Sequence, residues 1–109
     1  MWGGAVTIPL ANTNYSLETL FTNLAATDQP PLMTIRRCQM IDFQTSSTLG
    51  GGIVRIGGRT LSDTMMWKYL YATQSWVVYS MESNLITVNE IYVRCDVAGT
   101  TLNVFMISR

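Results

Sequence analysis

Histidine is absent from this chain of 109 residues and lysine occurs once, and the carboxylates, thiols and hydroxyls that could carry chemistry stand apart from one another in the sequence. The lack of histidine removes the commonest general base and the commonest metal ligand together. Cys38, Cys95 and the serines therefore lack an imidazole partner, so acyl transfer by a Ser-His or Cys-His pair is excluded. Lys68 is the sole lysine and has no serine three residues ahead of it to act as its nucleophile. Acid-base or glycosidic chemistry needs two carboxylates converging in one cleft. Asp42, Asp63, Glu82, Glu90 and Asp96 fall near strand ends or in loops, with no spacing that forces two together, and they read as solvated loop carboxylates. The glycines at 50–52 and 57–58 invite comparison with phosphate-binding loops. A strand follows the first cluster and no helix follows the second, so the amide cradle of such a loop is not formed. No cofactor, no metal and no enzymatic activity are expected.

The cysteines lie in similar settings, Arg37-Cys38-Gln39 and Arg94-Cys95-Asp96. A disulfide and a pair of buried thiols both fit. The thiols are favoured, because a core of this size needs no staple and free cysteine is among the most buried residue types. Asn14-Tyr15-Ser16 has the form of a glycosylation sequon. The opening Met1-Trp2-Gly3-Gly4 lacks a basic region and an apolar core, so no secretory signal is expected and the sequon is read as chance.

Seven basic residues balance seven acidic ones, and the bases are dispersed rather than gathered into a run. A nucleic-acid binder needs a positive surplus to displace counterions from phosphates, so nucleic acid is not an expected partner. No apolar run approaches the roughly 20 residues of a membrane-spanning helix, so no membrane is expected either. With 48% apolar and 13% charged residues, the chain has what it needs to fold and little self-repulsion to keep copies apart.

Binding surface is therefore the chemistry left to it. In Met65-Met66-Trp67-Lys68-Tyr69-Leu70-Tyr71 a strand would place Met65, Trp67, Tyr69 and Tyr71 on one face and Met66, Lys68 and Leu70 on the other. The aromatic stripe fits a core, a protein contact or a sugar-stacking platform. Trp2, beside the amino terminus, suggests an end tied down against something. Trp2, Trp67, Tyr69 and Tyr71 are the candidate contact residues, joined by the loop from Ser46 to Gly52.

The elements that must position them are mostly strands. Val6, Ile8 and Leu10 alternate with Thr7 and Pro9, and the proline favours a sheet edge. Leu17, Leu20, Phe21 and Leu24 have helical spacing behind Ser16 as N-cap, which predicts a helix of two to three turns ended by Pro30-Pro31. From Leu32 to Phe43 the alternation slips around Arg36-Arg37, which predicts a bulge there or a strand buried unevenly on both sides. Strands are expected over 53–56, 65–71 and 75–80, and a hairpin joining 91–95 to 102–107 through Gly99. The sum is one domain, residues 1–109: mainly β, an antiparallel β-sandwich of jelly-roll type with about seven strands and one short N-terminal helix.

Three stretches carry a family resemblance: Ile53-Val54-Arg55-Ile56-Gly57-Gly58, Asn89-Glu90-Ile91-Tyr92-Val93-Arg94-Cys95, and Ala98-Gly99-Thr100-Thr101-Leu102-Asn103-Val104. With Val6-Thr7-Ile8-Pro9-Leu10 as an opening strand they cover about half the chain. The pattern resembles small β-sandwich virion proteins of tailed bacteriophages that decorate or cement the head or form the base of head fibres. The bulky Met65-Met66-Trp67 departs from it, since that family often has a glycine-bearing turn there. The resemblance implies a structural protein of the virion, commonly trimeric, bound to the major capsid protein and without catalytic residues. A tail or collar component and a carbohydrate-binding adhesion module are the alternatives.

Overall fold

The computed structural model describes residues 1–31, 34, 36–45, 52–80 and 85–107. The described residues are mainly β, with antiparallel sheets and an α-helix of six residues. Ten strands are formed among the described residues: β1 (Trp2–Ile8), β2 (Tyr15–Ser16), β3 (Arg37–Cys38), β4 (Met40–Thr45), β5 (Val54–Gly57), β6 (Lys68–Leu70), β7 (Ser75–Tyr79), β8 (Ile86–Thr87), β9 (Tyr92–Cys95) and β10 (Thr100–Ile107). That exceeds the expected seven because β2, β3 and β8 are two residues long and show no alternation to read.

One sheet has the order β1-β10-β4-β7, a second β2-β9-β5-β6, and β3 pairs with β8. The two larger sheets share a single core. Val6, Ile8, Ile41, Phe43, Leu102, Val104 and Met106 enter from the first, and Val54, Ile56, Leu70, Val93 and Cys95 from the second. The period-two burial of β10, with Thr100, Leu102, Val104 and Met106 buried, fixes its register between β1 and β4. As the proline predicts, β1 is an edge strand, and it ends immediately before Pro9.

The helix α1 (Leu17–Thr22) buries Leu17, Leu20 and Phe21 against the core, and Ser16 caps it, its Oγ accepting from the Thr19 N–H at 3.2 Å. It is shorter than its apolar spacing predicts. The Gln29 side chain donates to the carbonyls of Thr22 and Leu24, at 3.2 and 2.9 Å, satisfying the C-terminal acceptors early while Leu24 still packs on the core.

Two expectations need correction. The slip predicted at Arg36-Arg37 falls where the strand has not begun, since Thr34 and Arg36 are helical and β3 starts at Arg37; the irregularity within the strands lies at Gln39, between β3 and β4. The Gln39 N–H donates to Ile107 O at 2.7 Å while its carbonyl accepts from Ser80 N–H at 2.8 Å, so its two backbone groups serve opposite neighbours. More consequentially, β9 and β10 do not form a hairpin: β9 lies between β2 and β5, and β10 between β1 and β4 in the other sheet. Alternation shows that a strand has one buried face, not which strand lies beside it. The connection passes from one sheet to the other over the surface, through Gly99, whose φ is +74° and whose N–H donates to Ile8 O at 2.9 Å.

Candidate functional site

The edge strand β6 and the loop leading into it present the aromatic stripe. Ser62 stitches that loop, its Oγ accepting from Met65 N–H at 3.1 Å and its N–H donating to Met65 O at 3.0 Å. Trp67 N–H donates to Ile56 O at 2.9 Å, and β6 then pairs Lys68, Tyr69 and Leu70 with Ile56, Arg55 and Val54. Beyond Tyr71 the chain turns through Thr73, at φ 61°, into β7. Thr45, buried at the end of β4, holds that turn: its hydroxyl donates to Tyr71 O at 2.5 Å and accepts from Gln74 N–H at 3.0 Å. The stripe is therefore mounted on a fixed frame at both ends.

Met65, Trp67, Tyr69 and Tyr71 are 58%, 59%, 50% and 48% exposed, so the core reading of the stripe gives way to a surface one. They do not make one flat face. Tyr69 and Tyr71 meet edge to face, with centroids 5.7 Å apart and planes at 89°. Trp67 leans the other way, over Gly58, where a Cβ would lie 3.3 Å from its ring. Together with Trp76, Ile56, Ile86, Ile91 and Glu90 it walls a largely apolar cleft of about 240 Å³.

The fourth candidate, Trp2, lies elsewhere and is engaged within the chain. It stacks edge-on against Phe21, with centroids 5.1 Å apart, and its indole N–H donates to Asp28 O at 3.0 Å. The tie expected of this end is thus to its own helix and the segment beyond. The candidate loop from Ser46 to Gly52 lies, apart from the buried Gly52, outside the described residues.

Polar groups meet in two places that spacing did not reveal. Arg55 and Arg94 face each other across β5 and β9. Asp96 pairs with Arg55 at 2.5 Å, and Asp63 with Arg94 at 3.0 Å and Arg55 at 3.7 Å. Asp63 and Asp96 are thus ion-paired rather than solvated loop carboxylates. Asn14 joins the cluster, accepting from Arg94 at 3.3 Å and donating to Leu61 O at 2.7 Å, which gives the sequon asparagine a structural task. On the outer face of the first sheet, Asp42, Gln44, Asn103 and Phe105 line a depression of about 360 Å³ floored by Gly3, Gly4 and Ala5. Gln44 donates to Asp42 Oδ2 at 3.0 Å, while Oδ1 is buried with no partner among the described residues. The polar alternation Asp42, Gln44 and Asn103 was visible in sequence, but only the β4–β10 register places these side chains together.

The cysteines are both free and buried, as favoured. Burial pushes the Cys38 thiol up from 9.0 to about 11, which holds it protonated and unreactive at neutral pH. Among the described residues no three His, Cys, Asp or Glu side chains converge, and no helix is long and apolar enough to cross a membrane.

Compared with protein-family models, with curated proteins and with solved structures, the chain matches none.

Proposed function

We propose that this chain is a non-enzymatic structural protein of a virion, a decoration or cement module that docks on the major capsid lattice through Met65, Trp67, Tyr69 and Tyr71. The observation that carries the docking surface is their common exposure on one firmly held sheet edge. Large apolar side chains cluster in solvent at a standing cost, and such clusters mark contact surfaces. Aromatic and Met side chains with few charges among them have the composition of an interface centre. Burying them against neighbouring subunits adds apolar contact across the joints of a shell, at roughly 25 cal/mol per Å² removed from water.

The capsid part of the reading rests on the resemblance of the 53–58, 89–95 and 98–104 stretches, and the strand order supports it. With the short β3 and β8 set aside and the other strands counted in chain order, the sheets run 1-8-3-6 and 2-7-4-5. That is the order of a jelly-roll sandwich, an architecture used by viral capsid and lectin domains. The partners that go with this reading are the major capsid protein and further copies of the chain.

Co-sedimentation with shells of the major capsid protein from the same genome tests it. The native chain pellets with the shells, and the triple variant Trp67→Ala, Tyr69→Ala, Tyr71→Ala stays in the supernatant while keeping its circular dichroism. A native chain that does not pellet, or a variant that pellets equally, contradicts the proposal.

A second reading, a carbohydrate-binding module, draws on the outer-face depression, where a carboxylate, two amides and Phe105 converge in the manner that recognises sugar hydroxyls. The perpendicular Tyr69 and Tyr71 rings do not favour it at the stripe, since an extended sugar chain stacks on coplanar rings. A glycan array separates the two readings.

A further inference from the structure

Among the described residues four strands lie at the edges of the two larger sheets: β1 and β7 in one, β2 and β6 in the other. An unpaired edge offers a row of N–H and C=O groups to any passing strand, and proteins protect it with charge, proline, brevity or a cover. Three of these edges are protected. Pro9 stops β1 and α1 packs against it, β2 is two residues long, and β6 is short and carries the exposed Lys68. The fourth, Ser75-Trp76-Val77-Val78-Tyr79, has no charge, proline or glycine, and four of its residues are strong β-formers.

The pairing with β4 fixes where the free groups of β7 point. Thr45 N–H donates to Gln74 O at 3.0 Å and Ser80 N–H to Gln39 O at 2.8 Å. Even-numbered residues thus direct their backbone toward β4, and Ser75, Val77 and Tyr79 direct theirs to the open side. Among the described residues no hydrogen bond reaches the backbone of those three. Val77 and Tyr79 are also exposed, 37% and 69%, on the outer sheet face.

We infer that β7 pairs with β7 of a second copy of this chain, antiparallel about a two-fold axis at Val77, joining two four-stranded sheets into one of eight strands. The segment is self-complementary. The axis sets Val77 opposite its own copy and Ser75 opposite Tyr79, and every such pair can exchange both of its backbone hydrogen bonds. A foreign strand would need matching length and register, whereas a second copy has them by identity. The absence of charge on β7 and the zero net charge of the chain leave no repulsion to oppose the approach. This goes beyond capsid docking and does not depend on it.

The test is the molar mass of the full chain by light scattering on a sizing column, at about 100 μM, where a complex of micromolar Kd is essentially complete. The native chain has twice the mass of one copy. Val77→Pro, which removes an outward N–H and no bond to β4, has the mass of one copy with unchanged circular dichroism. Val77→Lys behaves likewise and serves if the proline variant fails to fold. Hydrogen exchange gives a second readout: the Ser75, Val77 and Tyr79 amides are protected in the native sample and lose protection on dilution. A native chain of single or triple mass, a folded Val77 variant that keeps double mass, or fast exchange at those amides at high concentration overturns the inference. Shells that still take up a monomeric chain would leave the docking proposal standing.

Discussion

Arg55 and Arg94 are direct cross-strand partners, two guanidinium groups side by side on the outer face of β5 and β9, and the Asp63 carboxylate reaches both. Like charges directly opposite each other destabilise a sheet, so Asp63 and Asp96 make this pairing tolerable. The arrangement also pins the loop that leads into Met65 and Trp67, because Asp63 belongs to that loop.

Asp63→Ala therefore lowers stability by about 1 kcal/mol at low salt, the upper end for a pair this exposed. The loss shrinks in high salt, where the remaining arginines are screened from each other. Urea titrations at two ionic strengths check this. An unchanged midpoint at low salt would show that Asp63 is a bystander.

Two glycines are required for different physical reasons and should respond differently. A Cβ on Gly4 would lie 2.8 Å from the Trp2 ring, which Phe21 and Asp28 hold in place, so Gly4→Ala costs about 1–3 kcal/mol through overpacking. It also shifts tryptophan fluorescence as Trp2 is displaced. Gly99 has open space around it but a φ of +74°, so Gly99→Ala costs about 1 kcal/mol through backbone strain and leaves the fluorescence unchanged.

Thr45→Val keeps the shape of a buried side chain but removes the hydroxyl that holds Tyr71 O and Gln74 N–H. Buried groups left unpaired cost about 1–3 kcal/mol. Since this turn fixes one end of the aromatic stripe, the variant also exchanges amide protons faster at 71–74 than elsewhere, as hydrogen-exchange mass spectrometry would read. Uniform acceleration across the chain would mean that Thr45 supports only global stability.

Cys38 gives a pH dependence whose sign follows from its burial. Its thiol titrates at about 11 in the fold against 9.0 outside it, so the unfolded chain loses that proton first. The contribution is fully present below pH 9.0 and is lost as pH rises toward about 11. Cys38→Ala flattens this alkaline decline, and a thiol reagent at pH 8 leaves the native chain unlabelled until it unfolds. Rapid labelling of the native chain contradicts the buried, protonated thiol.

Local patterns in the sequence carried much of this structure, and their limits have physical causes. Ser16 and the spacing of Leu17, Leu20 and Phe21 located the helix, but its end depends on Gln29 folding back from a distance. Pro9 identified an edge strand. The strands 91–95 and 102–107 were both legible, yet their separation into two sheets was not, since partner choice is a long-range property that alternation does not encode. The stripe of Met65, Trp67, Tyr69 and Tyr71 was legible as a set, and its exposure only from the fold. Asp63 meeting Arg94, and Asn103 lying opposite Gln44, depend on the tertiary fold and strand register and had no local signature.

The most direct measurement is a cryo-electron reconstruction of intact particles from the genome that encodes this chain. If the chain docks as proposed, Met65, Trp67, Tyr69 and Tyr71 lie in contact with another virion chain and are closed to solvent. Particles that lack the chain, or that carry it with these four side chains facing solvent, would contradict it.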